Sequence, residues 1–558
     1  MSGKARTSLQ WTLGLAVLAV AASGLARAGA AAQSGSANGQ PPVTLLTTQQ
    51  DHARQMRLLK ISGFPAGPDP YQVATYDEAT ANPYPELPDP LVMNNGNRVT
   101  TAGQWKARRE EIKEHFDREV YGRVPRNMPA VKWEVVSTEK GLPTGGGGFG
   151  GGGGGAPQPI SDIPVITKQV IGRVDNSSYP AITVNIGLTV VTPANATGPV
   201  PIVMQFGGGG PNPMPANDTP NPCAPPPGAA PRGAGAGGAA RAGGAGAAAG
   251  AGRAGRAGAG AGAAAPAAAA PARGPAAPNW QVQLLQKGWG YAMLNTGSIQ
   301  ADSGCGLTVG IIGLMNKGQP RKMDDWGSLR ALAWGADRAM DYFESDKAVD
   351  ARRVGVEGHS RWGKATIVTM AYDERFAIGY VSSSGEGGAK LHRRKFGELI
   401  ENVNAANEYH WMAGNFMKYG GRWDTLPVDS HQLVAMVAPR ALFLSAGSGP
   451  LTNPDGTYQL MAADDPRCQA NRGPCATQPV NIMDAWVDAK GTFLAGVGAD
   501  PVYRLLGRKG LGTTEFPKID TGLMDGTLSF RQHSGGHTDG PNWPVFLTFA
   551  EREFKSLK

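Results

Sequence analysis

The stretch that could carry chemistry most directly is GVEGHSRWGKATIVTMA, residues 355–371, in which a strand-like run turns into a helix-like one at a serine. A serine at such a turn has its hydroxyl exposed above the sheet, where the amide groups of the following helix favour negative charge. Ser360 is therefore a candidate nucleophile. The usual pattern is G-x-S-x-G, whereas here Trp362 follows two places after the serine and Gly363 one place later. The alternative is a tight connection in which Ser360 only caps the helix.

A serine nucleophile needs a histidine as base and an acid that orients it, and this architecture orders them serine, acid, histidine. His537 lies in LSFRQHSGGHTDGPNW, a glycine-rich loop before the last helix, and we prefer it to His533, which ends an alternating run. Either histidine could instead be an ordinary solvated loop residue. The residues alone leave the acid open between three candidates: Glu386, Asp484 and Asp488.

The elements that must position these residues alternate between strand-like and helix-like patterns. The strand-like segments are 200–206, 290–296, 352–358, 377–384 and 439–447. Helical spacing follows over 325–345 and again after Ser360. Strands that alternate with helices predict a mostly parallel sheet covered on both faces, with ligands bound at the carboxyl ends of the strands. We therefore expect one α/β domain over residues 29–558 rather than two.

Two low-complexity segments interrupt this pattern. Residues 141–159 are mostly glycine, and residues 225–278 contain only alanine, glycine, proline and arginine. Neither can offset its ordering entropy by burying apolar surface, so we expect both to be mobile surface insertions.

The N-terminus, residues 1–28, combines basic residues, a short apolar run and small residues near Ala28. This pattern is typical of a signal peptide that is cleaved on export to the periplasm or the medium. The apolar run is short for a membrane span, so we expect no membrane association after cleavage.

A formal net charge of +8 is of the sign that binds nucleic acids, but the distribution of the charge argues against such a partner. Three of the excess positive charges lie in the predicted signal peptide, and five are arginines of residues 223–278, and neither segment contains an acidic residue. The rest of the chain has equal numbers of positive and negative charges, so the net charge indicates no nucleic-acid partner.

The four cysteines of an exported protein favour disulfides over metal binding. No pair has the C-x-x-C spacing of a zinc site, and the sequence indicates no metal or cofactor. Three pairings are possible. We expect Cys468 to pair with Cys475, which is close in sequence, and Cys223 to pair with Cys305.

Taken together, these segments resemble the glucuronoyl esterases (carbohydrate esterase family fifteen) of the bacterial type, from about Asp324 to the C-terminus. The likeness rests on blocks in the same order: DDWGSLRALAWGADRAMDYFE, GHSRWGKA, SSGEGGAKLHRRKFGE, HWMAGNF, PVDSHQLVAMVAPRALFLSAG, DPVYRLLG and GGHTDG. The elbow G-x-S-R-x-G-K is specific to the family and accounts for the late glycine. The resemblance implies an α/β-hydrolase fold, a three-layer αβα sandwich around a mostly parallel sheet.

The resemblance implies a catalytic triad. Ser360 matches the nucleophile and His537 the general base. The acid position of the fungal members corresponds to Ser383, which cannot serve. Bacterial members carry an aspartate followed two places later by tryptophan, which DAW matches here, so that Asp484 is the expected acid and Glu386 the alternative.

The resemblance also implies the substrate contacts. Arg361 matches an arginine that stabilises the oxyanion, and Lys364 and Glu398 match residues that hold sugar hydroxyls. Trp486 matches the wall of the sugar site. The ordinary alternatives are a solvated helix face for the two cations and a core position for the tryptophan.

The implied activity is hydrolysis of esters of (4-O-methyl-)glucuronic acid, such as lignin–glucuronoxylan links, by a monomer that needs no cofactor. One alternative is an acetyl xylan esterase or another carboxylesterase on the same fold, although an acetyl esterase has no need of Lys364 and Glu398. A second is an exported carbohydrate-binding protein on a decayed hydrolase scaffold. A third is a structural or adhesion role of residues 225–278.

Overall fold

A ten-stranded sheet organises the chain in this computed structural model, which describes residues 39–70, 76–144, 158–208, 223, 279–449, 459 and 482–557. The predicted signal peptide, most of the two predicted insertions and the predicted Cys468–Cys475 pair lie outside these residues. The strands are β1 Val131–Gly141, β2 Val165–Val174, β3 Asn185–Pro193, β4 Val200–Gly207, β5 Gly290–Asn295, β6 Val349–His359, β7 Ile378–Ser382, β8 Ala441–Gly447, β9 Gly522–Leu523 and β10 Leu528–His533.

The strand order is β1-β2-β3-β5-β4-β6-β7-β8-β10-β9. From β5 to β10 every neighbouring pair is parallel. The first three strands form an antiparallel extension that joins at β5, and β9 adds a short antiparallel edge. Because the parallel strands end at one edge, the turns after β6, β7, β8 and β10 meet there.

Helices cover both faces of the sheet. They are α1 Thr48–Leu59, α2 Ala102–Glu119, α3 Trp280–Gln286, α4 Gly310–Met315, α5 Ser328–Ser345, α6 Arg361–Tyr372, α7 Ile400–Val403, α8 Ser430–Ala435, α9 Ile482–Ala485, α10 Ala489–Leu505 and α11 Trp543–Ser556. Apolar side chains of α5, α6, α8 and α10 build the larger core on one face, and those of α3 and α11 build a second core on the other. Every residue of β3, β7 and β8 is buried between these layers.

This arrangement confirms the predicted three-layer α/β-hydrolase fold with a mostly parallel sheet. Each predicted strand and helix is present, with ends shifted by three residues or fewer. The antiparallel extension was not predicted. Its outer strand β1 leaves most of its residues exposed, and so it lacks the continuous apolar run of a buried strand.

The predicted Cys223–Cys305 disulfide is present. Within the ranges described above, no helix has the length and apolar character needed to cross a membrane.

Candidate active site

The turn at Ser360 separates β6 from α6, and its backbone has φ 59° and ψ −127°. A positive φ costs a residue with a Cβ about 1–3 kcal/mol, so it persists only where the surroundings impose it. The Ser360 amide donates to the carbonyl oxygen of Ser382 at 2.9 Å, which fixes the turn to the end of β7. Among the described residues, the Ser360 side chain forms no capping bond to α6. The hydroxyl is thus left available above the sheet, and the capping alternative is not realised.

Two glycines make this turn possible. A Cβ on Gly358 would collide with the backbone carbonyl of Trp362, which sits directly above it. A Cβ on Gly363 would lie 2.6 Å from the carbonyl oxygen of Ser382. The glycine is therefore needed at the point where α6 crosses the end of β7, which is one place later than in G-x-S-x-G. The side chain of Trp362 is partly buried and packs against the core.

His537 and Asp484 are brought together from separate parts of the chain. Asp484 Oδ1 accepts from His537 Nδ1 at 2.7 Å, and the carboxyl is fully buried. The Ser383 hydroxyl donates to the other oxygen, Oδ2, at 3.2 Å. With Nδ1 donating to the carboxylate, Nε2 of His537 is the nitrogen that can accept a proton. The side chain of His537 keeps 24% of its surface exposed, so a substrate can reach it.

A second histidine, His359, packs beside His537 with ring centroids 4.4 Å apart. Its Nδ1 lies 3.1 Å from the Ser382 hydroxyl. Burial first, and then the neighbouring imidazoles of His537 and His533, hold the pKa of His359 well below its usual value. His359 is therefore neutral and adds no positive charge beside His537.

Arg361 forms an ion pair with Asp302, which follows β5. Asp302 Oδ1 also accepts from His410 Nε2 at 2.9 Å and from Trp411 Nε1 at 2.6 Å. Burial alone would raise the pKa of Asp302, but its bonds to His410 and Trp411 and the charge of Arg361 outweigh burial and lower it. The guanidinium is thus held in place at the start of α6.

Lys364, one turn further along α6, is buried and uses all three of its ammonium donors. Nζ donates to the carbonyl oxygens of Ser384 and Glu386 and to Glu398 Oε2, each at 2.7 Å. Nζ also lies 5.4 Å from the centre of the Trp411 ring, close enough for a cation–π contact. Neither Arg361 nor Lys364 is an unpaired cation on a solvated helix face.

Glu398 and Trp486 are joined through the backbone. The amide of Glu398 donates to the carbonyl oxygen of Trp486 at 2.7 Å, and Glu398 Oε2 also accepts from the amide of Glu386 at 2.8 Å. Gly397 has φ 62°, and a side chain there would collide with the Trp486 backbone. Trp486 is half-buried, and its side chain packs against the small apolar cluster of Ala446, Val487 and Ala489.

The other candidate acids are engaged elsewhere. Glu386 is fully buried, where its carboxyl bonds His392 Nδ1 and, at 3.0 Å, Lys390 Nζ. Burial alone would raise the pKa of Glu386, but these two partners outweigh it and lower the pKa. Asp488 accepts from Arg394 Nε at 2.7 Å and caps α10. The structure therefore places Asp484, and neither alternative, on His537.

The less favoured base, His533, is used within its own loop. Its Nε2 lies 2.8 Å from the carbonyl oxygen of Thr538, and its Nδ1 accepts from the amide of Gly535 at 3.0 Å. Both ring nitrogens help to shape the loop that carries His537.

Two acidic residues of the site were not singled out from the sequence. One is Asp302, whose loop has no distinctive pattern. The other is Glu408, two residues before the HWMAGNF block, whose Oε2 is buried and has no hydrogen-bond partner among the described residues. Burial first, and then the charge of Glu398, raise the pKa of Glu408 to about 8, although Lys364 and Arg361 oppose this. Glu408 thus contributes a neutral carboxyl at neutral pH.

Comparison with known proteins gives matches over most of the chain. Residues 321–466 match a family model described as glucuronyl esterase, fungi. A carbohydrate esterase from an unknown prokaryotic organism is 30% identical over 482 residues, which cover 85% of this chain and 91% of that protein. A 4-O-methyl-glucuronoyl methylesterase from Podospora anserina is 35% identical over 127 residues, 21% of this chain and 26% of its own length.

Solved structures agree with these matches. A CE15 glucuronoyl esterase from Teredinibacter turnerae is 33% identical, with a TM-score of 0.66 over 91% of this chain and 100% of that one. A glucuronoyl esterase from Solibacter usitatus is 28% identical, with a TM-score of 0.59 over 86% of this chain and 100% of that one. The chain therefore belongs to carbohydrate esterase family 15, the glucuronoyl esterases, and is a carboxylic ester hydrolase.

Proposed function

We propose that this protein hydrolyses esters of 4-O-methyl-glucuronic acid through an acyl-enzyme on Ser360. The observation that carries the proposal is the short segment from Ser360 to Lys364. It begins with a strained serine that does not cap its helix and ends at a lysine bound to Glu398. One helix start thereby joins a nucleophile to a cluster suited to a polar sugar. The names of the curated relatives, 4-O-methyl-glucuronoyl methylesterases, supply the substrate class.

Acylation begins when His537 Nε2 takes the proton of the Ser360 hydroxyl and Oγ attacks the ester carbonyl carbon. The bond to the alcohol oxygen then breaks, and His537 returns the proton to the leaving alcohol. Asp484 supports both steps, because its bond to Nδ1 holds the imidazole in the productive tautomer and stabilises the imidazolium.

Negative charge on the carbonyl oxygen is stabilised at the start of α6. The amides of the first turn of a helix have no partners within the helix and carry its positive dipole end. Arg361 adds a guanidinium that its pairing with Asp302 already holds in position. A donor held in place before the reaction costs no reorganisation when the charge develops, and one such donor contributes about 3 kcal/mol.

Deacylation repeats the same transfers with water. His537 takes a proton from water, the resulting hydroxide attacks the acyl carbon, and the Ser360–acyl bond breaks as His537 returns the proton to Oγ. The product leaves as glucuronic acid and gives its proton to the solvent, which yields the glucuronate anion.

The sugar is expected to bind between Trp486 and the Lys364–Glu398 pair. The exposed part of the indole suits the apolar face of a pyranose ring, and the charged pair suits its hydroxyls. Since the three donors of Lys364 are already engaged, a hydroxyl must share or replace one of these bonds. The polar contacts thus lie on the acyl side, and we infer tolerance for varied alcohols, including the lignin alcohols of glucuronoxylan esters.

The deciding experiment is hydrolysis of methyl and benzyl glucuronate esters by the wild type and by Ser360→Ala. We expect turnover by the wild type alone, with both proteins folded, and trapping of a glucuronoyl group on Ser360 by rapid acid quench and mass spectrometry. An acetyl ester of xylan serves as the competing substrate. Equal rates on acetyl and glucuronate esters would favour the acetyl xylan esterase alternative.

The proposal includes an exported monomer with one catalytic domain. Mass spectrometry of the secreted protein should give an N-terminus near Gly29, and its mass in solution should be that of one chain. Deleting residues 225–278 should leave kcat and KM on benzyl glucuronate unchanged, whereas a loss of activity would assign that segment a part in catalysis.

A further inference from the structure

A pair of acidic side chains lies beneath the loop that carries His537, and the mechanism above does not use it. Glu357 is fully buried on β6, three residues before Ser360. Asp539 is half-buried and lies two residues after His537. Tyr380, which pairs with Glu357 across β6 and β7, donates its hydroxyl to the backbone oxygen of Asp539, so the two acidic residues lie at the same place on the sheet. Neither forms an ion pair with any of the lysines, arginines or histidines that the structure describes.

The neighbours of Glu357 provide a hydrogen-bond donor for only one of its two carboxyl oxygens. Gln205 on β4 donates from Nε2 to Glu357 Oε2 at 2.7 Å. The other oxygen, Oε1, is buried and meets no donor from the described residues. Two carboxylates cannot bond each other without a proton between them, and a buried polar atom without a partner is costly. A proton on Oε1 that is donated to the Asp539 carboxylate would satisfy both conditions.

The groups that surround the pair from other elements do not change this assignment. Tyr380 lies opposite Glu357 on β7 and donates its hydroxyl to the backbone oxygen of Asp539 at 2.8 Å. Trp543 on α11 donates from Nε1 to Asp539 Oδ2 at 2.9 Å. His359, two residues along β6, is neutral. Burial, followed by the charge of Asp539, raises the pKa of Glu357 well above its usual value.

We propose that Glu357 is a positioning residue for the reaction, which as a neutral acid donates a hydrogen bond to the Asp539 carboxylate and so fixes the His537 loop to the strand that ends at Ser360. The contact spans the two elements whose separation sets the distance between nucleophile and base. Tyr380 and Trp543 also bond Asp539, through its backbone oxygen and its Oδ2 respectively. This inference rests on the proposed roles of Ser360 and His537.

Substitutions of Glu357 by Gln and by Leu distinguish the loss of the side chain's hydrogen bonds from the loss of its ionisable group alone. In Glu357→Gln the amide nitrogen can donate to Asp539 while the amide oxygen accepts from Gln205, which reproduces both bonds of the neutral acid. In Glu357→Leu a side chain of similar size keeps neither bond. We expect kcat on benzyl glucuronate to stay within about threefold of wild type in Glu357→Gln and to fall about tenfold to a hundredfold in Glu357→Leu, with KM within about twofold in both.

Infrared difference spectroscopy tests the protonation state directly. At neutral pH the wild type minus Glu357→Gln should show the carbonyl stretch of one neutral carboxylic acid. Asp337→Asn is the matched control, since burial raises the pKa of Asp337 to about 7 on α5, among arginines rather than at the His537 loop. This control should leave kcat unchanged.

Two results would overturn the inference. A difference spectrum without an acid carbonyl band would show that Glu357 is ionised. A folded Glu357→Gln as impaired as Glu357→Leu would show that the neutral donor does not suffice. Failure of Ser360→Ala to abolish turnover would instead overturn the proposed function itself, which keeps the two failures distinguishable.

Discussion

The proposed active site has two halves, which differ in how many of their hydrogen-bonding groups are already bonded within the protein. In the catalytic half, Ser360, His537 and Asp484, the serine hydroxyl does not cap its helix and His537 bonds Asp484 through Nδ1. In the sugar half, Lys364, Glu398, Trp486 and Glu408, the ammonium of Lys364 has protein acceptors for all its donors. In this proposal the catalytic half keeps groups free to transfer protons, whereas the Lys364–Glu398 pair of the sugar half is already bonded within the protein.

The largest expected effect tests the catalytic half. Ser360→Ala should lower kcat on benzyl glucuronate by on the order of a millionfold, because no other group can form the acyl-enzyme. The free energy of unfolding should not fall, since the hydroxyl caps nothing. Ser345→Ala, which removes a hydroxyl bonded to the Tyr342 carbonyl at the end of α5, is the control and should keep full activity. Residual turnover by Ser360→Ala above one-thousandth of wild type would assign the chemistry to another group.

The second prediction separates the acid from its alternative. Asp484→Asn should lower kcat about ten-thousandfold, because the amide favours the wrong tautomer of His537. Glu386→Gln removes a buried charge held by Lys390 and His392, so it should lower the melting temperature while kcat stays within about tenfold of wild type. Activity that survives in Asp484→Asn and is lost in a folded Glu386→Gln would move the acid to Glu386.

The third prediction concerns the sugar half. Lys364→Met leaves the Glu398 carboxylate buried without its cation, and such a change costs about 3–5 kcal/mol in the free energy of unfolding. Denaturant unfolding measures this loss. The double variant Lys364→Met with Glu398→Leu removes both charges and should recover most of the stability but not the affinity for glucuronate esters. Full recovery of KM in the double variant would show that the pair does not bind the sugar.

A smaller effect is expected at Ser383, which lies between the halves. Ser383→Ala removes one hydrogen bond to Asp484 Oδ2, which corresponds to about 1 kcal/mol and about a fivefold loss in kcat with unchanged KM. Ser529→Ala, on β10, is the control, because its hydroxyl donates to the carbonyl oxygen of Gly526 at the same distance of 3.2 Å. Equal losses of activity in the two variants would mean that the effect is general rather than passed through Asp484.

The last prediction concerns stability rather than reaction rate, and it is a pH dependence. Folding raises the pKa of Glu408 from 4.5 to about 8, so the folded state binds a proton that the unfolded state releases in this range. The free energy of unfolding should therefore fall as the pH rises from about 4.5 to about 8. Glu408→Gln should remove this part of the dependence, which melting curves over the same range measure. Parallel profiles for the two proteins would contradict the assignment.

Local sequence was enough to predict the tight turn at Ser360, but not whether the serine hydroxyl caps the helix. Gly358, Ser360 and Gly363 lie within six residues, and the turn they form is decided by backbone contacts among themselves and with β7. The parallel strands were equally predictable, because burial on both faces demands continuous apolar runs. The antiparallel extension was missed, and exposure at an edge explains this only for β1, since every residue of β3 is buried.

The acid side required the three-dimensional fold. Asp484 and His537 are 53 positions apart, and three carboxyl groups fitted the chain order equally well. What distinguishes them is which partners reach each carboxyl, and that depends on how α9 and α10 return to the sheet. Asp302 and Glu408 lie in irregular connections, whose sequence carries no periodic signal of the site.

The pairing of charges described for Arg361 and Lys364 has a consequence for turnover. Asp302 neutralises the first cation and Glu398 the second, so the site as a whole offers no net positive charge near these groups. The ester is neutral, but the acid that hydrolysis liberates is an anion. A pocket with unpaired cations would hold that anion more tightly than the ester and would be inhibited by its own product. Because each cation already has its counter-ion, the glucuronate anion gains little binding free energy over the neutral ester. We therefore expect the product to leave readily.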